Sequence, residues 1–308
     1  MSALREALDA GKFAVTAEMA PPKGCDFTEQ IETARLLQGK VNAVNVTDMQ
    51  SASLKASSLG LCIHLKQAGV EPILQITGRD RSRMGILADV LSAASFGIDT
   101  ILALTGDHPV VGDCPESKPV YDLDSVGILK MLAKMQETNC DCGGNELTGP
   151  APKLYMGASV TPLYEPLFLQ INKLKQKVDN GAMYIQTQGI FDLDQFKRFL
   201  DEVGKAGIHT HIMAGIIPLK AAGMAKYMNE NVPGIAVPQD MIDKLAAEAA
   251  KGKELGVKGL PMKLGIEMAA EMIAKIQSEH LCDGVHIMAI GAEKNVPAIL
   301  EKAGVTIA

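Results

Sequence analysis

The chain has 308 residues, 47% of them hydrophobic, and a formal net charge of −6. That length means one large domain or two small ones, with enough apolar material for a sizeable core. With no basic block, no Trp and only 4% aromatic residues, it lacks both the electrostatic footprint and the stacking platform that nucleic acid requires.

No apolar run approaches the roughly 18 residues needed to span a bilayer. The first residues, Met1-Ser-Ala-Leu-Arg-Glu-Ala, lack the basic-then-apolar order of a secretory signal. The expectation is a cytoplasmic protein with no membrane partner, whose six cysteines are reduced thiols. The 16 Met residues suit an adaptable core or an interface, including one in a homo-oligomer.

Apolar, β-branched runs alternate with amphipathic segments along the chain. A strand over 13–18 precedes a helix over 28–39. A strand over 41–47 precedes a helix from about 53 to 68. A strand over 71–77 is followed by a helix that Asp80 caps and that runs to about 96. The strand over 100–107 ends in Thr105-Gly106-Asp107 and leads into a polar loop to 122, then a helix over 125–138. The Gly-, Asn- and Cys-rich segment 139–152 is loop. Strand 154–160 precedes helix 166–180, and strand 183–188 precedes helix 192–204. Strand 208–215 is followed by three helices, at 220–229, 238–255 and 262–279. Strand 284–290 and a short helix over 297–303 end the chain.

Strand followed by helix, eight times, predicts an α/β protein: a (β/α)8 TIM barrel forming a single domain over 1–308, with extra helices at about 219–280 between the seventh and eighth strands. A doubly wound open sheet is disfavoured. It usually carries G-x-G-x-x-G after its first strand, and the chain reads Glu18-Met-Ala-Pro-Pro-Lys-Gly there.

In a barrel the active site lies at the C-terminal ends of the strands. The residues there are Glu18, Thr47 and Asp48, Gln75 and Thr77, Asp107, Ser159 to Thr161, Gln186 and Gln188, Ala214 and Met288. No Ser, Cys or Lys stands beside a rim His in the manner of covalent catalysis. The set suits a flat, polar heterocycle and the movement of one proton or hydride. Glu18 ends an apolar strand before Pro21-Pro22. A carboxyl group that desolvation holds protonated is an ordinary general acid, and Glu18 is the candidate; pairing with a nearby Lys or Arg is the other reading.

Three further clusters carry weaker signals. Gly78-Arg-Asp-Arg-Ser-Arg83 opens a helix and reads either as a phosphate site or as a solvated charged turn. His209 and His211 share a strand face but lack a third metal ligand. Cys140 and Cys142 are too close for an easy disulfide and have no second pair to complete a zinc site, so no metal site is expected.

Six fragments in order carry a family resemblance: Thr-Ala-Glu18-Met-Ala-Pro21-Pro22, Val-Asn-Val-Thr47, Leu-Thr-Gly106-Asp107-His-Pro, Leu174-Lys-Gln-Lys177-Val-Asp-Asn-Gly181-Ala, Ile185-Gln-Thr-Gln188-Gly-Ile-Phe-Asp192 and Gly215-Ile-Ile-Pro218. The set resembles the flavin-dependent methylenetetrahydrofolate reductases. The resemblance implies a barrel with FAD or FMN across the strand ends, and reduction of 5,10-methylenetetrahydrofolate to 5-methyltetrahydrofolate. The resemblance thus implies an oxidoreductase acting on a CH–NH bond. Glu18 matches the catalytic acid that protonates N10, and Asp107 the charge beside flavin and folate. Gln188 matches the glutamine on the pterin. Thr47, Gly106, Asp107, Ala158, Thr161 and Lys177 fall at flavin-binding positions.

The chain also departs from the NADH-using members of that family. Thr105 stands where they carry Arg. Met288 and Ala292 stand where they carry Tyr and Arg. Thr161 stands where a flavin-contacting Tyr is expected, and Gln170 and Lys173 where adenosine is held. These departures point toward the acetogen-type members, in which a redox partner subunit, an iron–sulfur or zinc protein, delivers the electrons. The competing functions are a flavin-carrying electron-transfer subunit of a larger complex and another pterin-dependent barrel enzyme such as a methyltransferase. An aldolase would need a strand-end Lys, which is missing.

Overall fold

The structure is a computed structural model that describes residues 2–307. Helix α1 (Ala3–Asp9) comes first. Eight parallel strands then close into a barrel in sequence order: β1 (Ala14–Met19), β2 (Ala43–Val46), β3 (Pro72–Thr77), β4 (Thr100–Leu104), β5 (Tyr155–Val160), β6 (Tyr184–Gly189), β7 (His211–Ile216) and β8 (Gly284–Ile287). The crossovers carry α2 (Thr28–Leu37), α3 (Ser58–Gln67), α4 (Arg83–Ser95), α5 (Ser125–Thr138), α6 (Leu167–Asp179) and α7 (Leu193–Lys205). Helices α8 (Ala222–Asn231), α9 (Gln239–Leu255) and α10 (Leu260–Ser278) stand between β7 and β8, and α11 (Val296–Ala303) follows β8. This is the (β/α)8 barrel that the alternation predicts.

Successive side chains of a strand point to opposite faces. On β1, Val15, Ala17 and Met19 join the core shared with the helices, while Ala14 belongs to a second apolar cluster inside the barrel. The same alternation brings Ile73, Leu102, Tyr155, Tyr184 and Met213 into that inner cluster. Helix α1 seals it from below with Leu4, Ala7 and Leu8. This helix is missing from the elements predicted above. Its signal is present: Ser2 accepts from Arg5 N as N-cap, and Leu4, Ala7 and Leu8 follow helical spacing.

Three boundaries differ for physical reasons. The helix expected from about 53 starts at Ser58, because the preceding loop holds Met49, Ser51 and Ala52 at φ of 48°, 55° and 53°. Asp80 does not cap α4. Ser82 does, accepting from Gly85 N, while Asp80 pairs with Arg79. Strand β4 ends at Leu104, so Thr105, Gly106 and Asp107 belong to a loop.

Leu8 is 1% exposed inside the inner cluster. Leu8→Ala should cost about 2–5 kcal/mol, read as a lower urea midpoint with an unchanged m-value. A loss well below that range would show that α1 does not seal the barrel.

Candidate active site at the barrel mouth

Above the apolar cluster the inward positions turn polar. Asn45 and Gln186 form a reciprocal amide pair at 2.7 and 3.1 Å. Gln186 Nε2 also donates to Thr16 Oγ1 at 3.0 Å, and Thr16 Oγ1 lies 3.0 Å from His286 Nδ1. Two residues further along β1, Glu18 Oε2 accepts from Gln75 Nε2 at 3.3 Å and faces His286 Nε2 at 3.6 Å. All six side chains are buried, and the chain of contacts offsets the desolvation that each polar group suffers.

Glu18, Gly106, Asp107, Thr161, Lys177 and Gln188 line one cavity of about 550 Å³ at the mouth. Thr47 lines a neighbouring cavity of about 690 Å³, and Glu18 and Gln50 border both. Ala158 lines neither. Its side chain packs in the core between barrel and helices, and Ser159, one residue on, faces the cavity instead. Thr47 Oγ1 is buried without a hydrogen-bond partner. Native structures seldom leave such a group unmet.

Gly106 is required twice. It sits at φ 90°, and a Cβ there would fall 3.0 Å from Arg79 Cβ and 3.1 Å from Thr77 Cβ. Asp107 is exposed at the cavity edge, and its Oδ2 accepts from Ser51 N at 3.0 Å. Thr105 is tied to the start of α5, its Oγ1 accepting from Ser125 N at 3.1 Å.

The arginine cluster of 79–83 is spent on structure. Arg79, 2% exposed, binds Asp80 and donates to the carbonyls of Met49 and Asp107. Arg81 reaches Asp48 at 2.6 Å and Asp89 at 2.8 Å, and Arg83 grips Asp122. Asp48 also accepts from Thr77 N and Oγ1, both at 2.9 Å. The turn is therefore no free anion receptor: Arg79 and Arg81 are withdrawn from solvent, and Arg83 keeps an exposed ion pair.

The histidines and cysteines of the weaker signals fall elsewhere. His209 precedes β7 and is exposed, whereas His211 Nδ1 lies 3.3 Å from Asp283 Oδ1. Cys140 and Cys142 are free thiols in a compact turn that Asp141 organises by accepting from Gly143 N and Asn145 N.

Lys177 provides a cation at the cavity and donates to Ser159 O at 2.6 Å. Burial first, then the neighbouring Lys173 ammonium, pushes its pKa down to about 8. His286 is absent from the rim residues predicted above. The signal is phase: Gly284, His286 and Met288 share the inward face of the last strand.

The fold and the mouth define a (β/α)8 barrel with an acid-bearing polar cavity at the C-terminal ends of its strands. The methylenetetrahydrofolate reductase model matches residues 3–304, and the chain belongs to that family of oxidoreductases of one-carbon metabolism. It is 33% identical to methylenetetrahydrofolate reductase 1 of Schizosaccharomyces pombe, over 76% of this chain and 36% of that protein. It is 25% identical to a probable methylenetetrahydrofolate reductase (NADPH) of Caenorhabditis elegans, over 82% of this chain and 34% of that one. With the Escherichia coli 5,10-methylenetetrahydrofolate reductase the identity is 26%, over 80% of this chain and 79% of the relative. The match thus spans about a third of the fungal and nematode proteins. Among solved structures, a Clostridium thermocellum protein described as binding two copies of 5-methyl-5,6,7,8-tetrahydrofolic acid superposes with a TM-score of 0.64 at 12% identity, covering 98% of each chain. At that identity the likeness shows the shared barrel alone.

Two outcomes follow from the site's charges. Arg81→Ala leaves the buried Asp48 carboxylate without its charge partner and should cost about 3–5 kcal/mol, read from the denaturant midpoint; a change under 1 kcal/mol, as for an exposed pair, would contradict the structural role. Lys177 releases its proton near pH 8 when folded but near its ordinary 10.5 when unfolded. Stability should therefore climb between these values and be lost again as pH falls through about 8. Lys177→Met should flatten that climb; identical slopes in both proteins would assign it to other groups.

Proposed function

We propose that the chain binds a flavin and reduces 5,10-methylenetetrahydrofolate to 5-methyltetrahydrofolate. The observation that carries this reading is the placement of Glu18. In a chain of this family, it is a buried carboxyl group on the border of two cavities, with Oε2 engaged by Gln75 and Oε1 left to the cavity.

In this reading Glu18 delivers a proton to N10 of the folate. The bond from N10 to the methylene carbon then breaks and leaves a 5-iminium cation. Asp107, on the same cavity wall, stabilises that cation by its charge, with no proton transfer. Gln188 offers its side-chain amide to the polar edge of the pterin. The residues present fit a flavin: the unmet Thr47 hydroxyl offers a hydrogen bond, and the Lys173 and Lys177 ammonium groups suit the phosphate that FAD and FMN share. When bound, the flavin supplies hydride to the one-carbon unit.

The same reading draws the electrons from a redox partner subunit rather than from a bound nicotinamide. Thr105, Met288 and Ala292 support it, because none offers the aromatic face or the guanidinium expected there. The Thr105 hydroxyl is engaged at the start of α5, and Met288 presents an apolar wall.

The purified protein should show a visible flavin band, and anaerobic 5-methyltetrahydrofolate should bleach it. A colourless protein that neither FAD nor FMN reconstitutes would sink the reading. Glu18→Gln should slow the folate half-reaction at least about 100-fold while flavin reduction by dithionite stays unchanged. Equal loss in both would count against an acid role.

A further inference from the structure

We infer that His286 is a positioning residue for Glu18. Its Nε2–H faces Oε2 and so leaves Oε1 as the oxygen that carries the transferable proton. The inference rests on the proton-donor role given to Glu18 above.

Backbone register places the two side chains together. Thr16 on β1 and His286 on β8 are direct partners in the ladder that closes the barrel. Glu18 is the next inward residue of β1, and His286 is 3% exposed between them. The ring has no other side-chain contact within hydrogen-bond or ion-pair reach among the described residues.

One tautomer of the neutral ring suits this role. A threonine hydroxyl has one proton to give and lone pairs to accept with. Gln186 Nε2 donates into Thr16 Oγ1 and leaves the Thr16 proton free to give. Given to His286 Nδ1, 3.0 Å away, that proton makes Nδ1 an acceptor. An accepting Nδ1 puts the proton of the neutral imidazole on Nε2, which faces Glu18. The separation of 3.6 Å from Oε2 is a charge–dipole contact just beyond hydrogen-bond length. Gln75 Nε2 reaches the same oxygen at 3.3 Å.

Two N–H groups aimed at Oε2 disfavour a proton on that oxygen. Oε1 accepts from no described residue. In the acid form the proton therefore sits on Oε1, at the cavity. When Glu18 acts, the Oε1–H bond breaks, an N–H bond forms on the substrate, and the negative charge stays on the carboxylate. His286 and Gln75 keep their own protons and hold that charge at Oε2. His286 thus fixes which oxygen reacts without itself touching the substrate.

The test has a spectroscopic arm and a kinetic arm. In ¹⁵N-histidine-labelled wild-type protein, the resonances that vanish in His286→Gln should report a protonated Nε2 and a bare Nδ1. A protonated Nδ1 overturns the inference whether or not any variant folds. In the kinetic arm, His286→Asn withdraws the N–H from Glu18, while His286→Gln keeps an N–H near the Nε2 position. The asparagine variant should lose about 10–100-fold in the folate half-reaction, and the glutamine variant should recover most of it. Flavin affinity and reduction by dithionite should stay unchanged in both. Equal loss in the two variants, or equal loss in both half-reactions, would show a merely structural histidine. A wild-type protein that binds flavin but ignores folate would overturn the proposed function. A responsive wild type with an unimpaired His286→Asn would overturn this inference alone.

Discussion

The seam between β1 and β8 is the constraint on which the mouth depends. It joins the two ends of the chain and brings Thr16 against His286 across 270 residues of sequence. The seam is tight: a Cβ on Gly284 would fall 2.1 Å from Ala14 O. A slip of one residue would turn His286 to the outer face and separate it from Glu18, because the side-chain period of a strand is two. The acid and the groups that hold it are therefore a consequence of barrel closure rather than of any local motif.

A second layer of constraint lies in the loops. The buried Arg79 guanidinium binds carbonyls of the loops after β2 and β4, and Asp48 joins β2 to β3 through Thr77 and Arg81. Asp107 is part of this frame through Ser51 N. The loop after β2 carries three non-glycine residues at positive φ, which packing must hold in place. Charge at this rim thus does two jobs. The arginines and Asp48 brace the loops, whereas Glu18, Asp107 and Lys177 face the cavities.

The barrel was legible because its signal is periodic: apolar runs of strand length alternate with amphipathic helices from one end of the chain to the other. Glu18, Asp107 and Gln188 were legible because strand-end residues of a barrel converge. The partners of the arginine turn were not legible, since Asp48, Asp89 and Asp122 come from three other segments. Ala158 and His286 show the importance of phase. One residue of offset puts Ala158 in the outer core, and two residues back from the strand end put His286 beside the acid. The α1 signal was present in Ser2, Leu4, Ala7 and Leu8, but what that helix covers depends on eight strands already being closed.

By itself, the sequence determined the order and type of elements, the barrel, the family, and the residue types at the strand ends. These follow from local periodicity and from short fragments in a fixed order. Only the tertiary structure decided which of those residues share a cavity, which charges are already paired, and which nitrogen of His286 faces Glu18. These depend on distances between segments far apart in sequence. Burial then sets the energetic stakes, because a polar group taken out of water must find its partner wherever the fold has placed it.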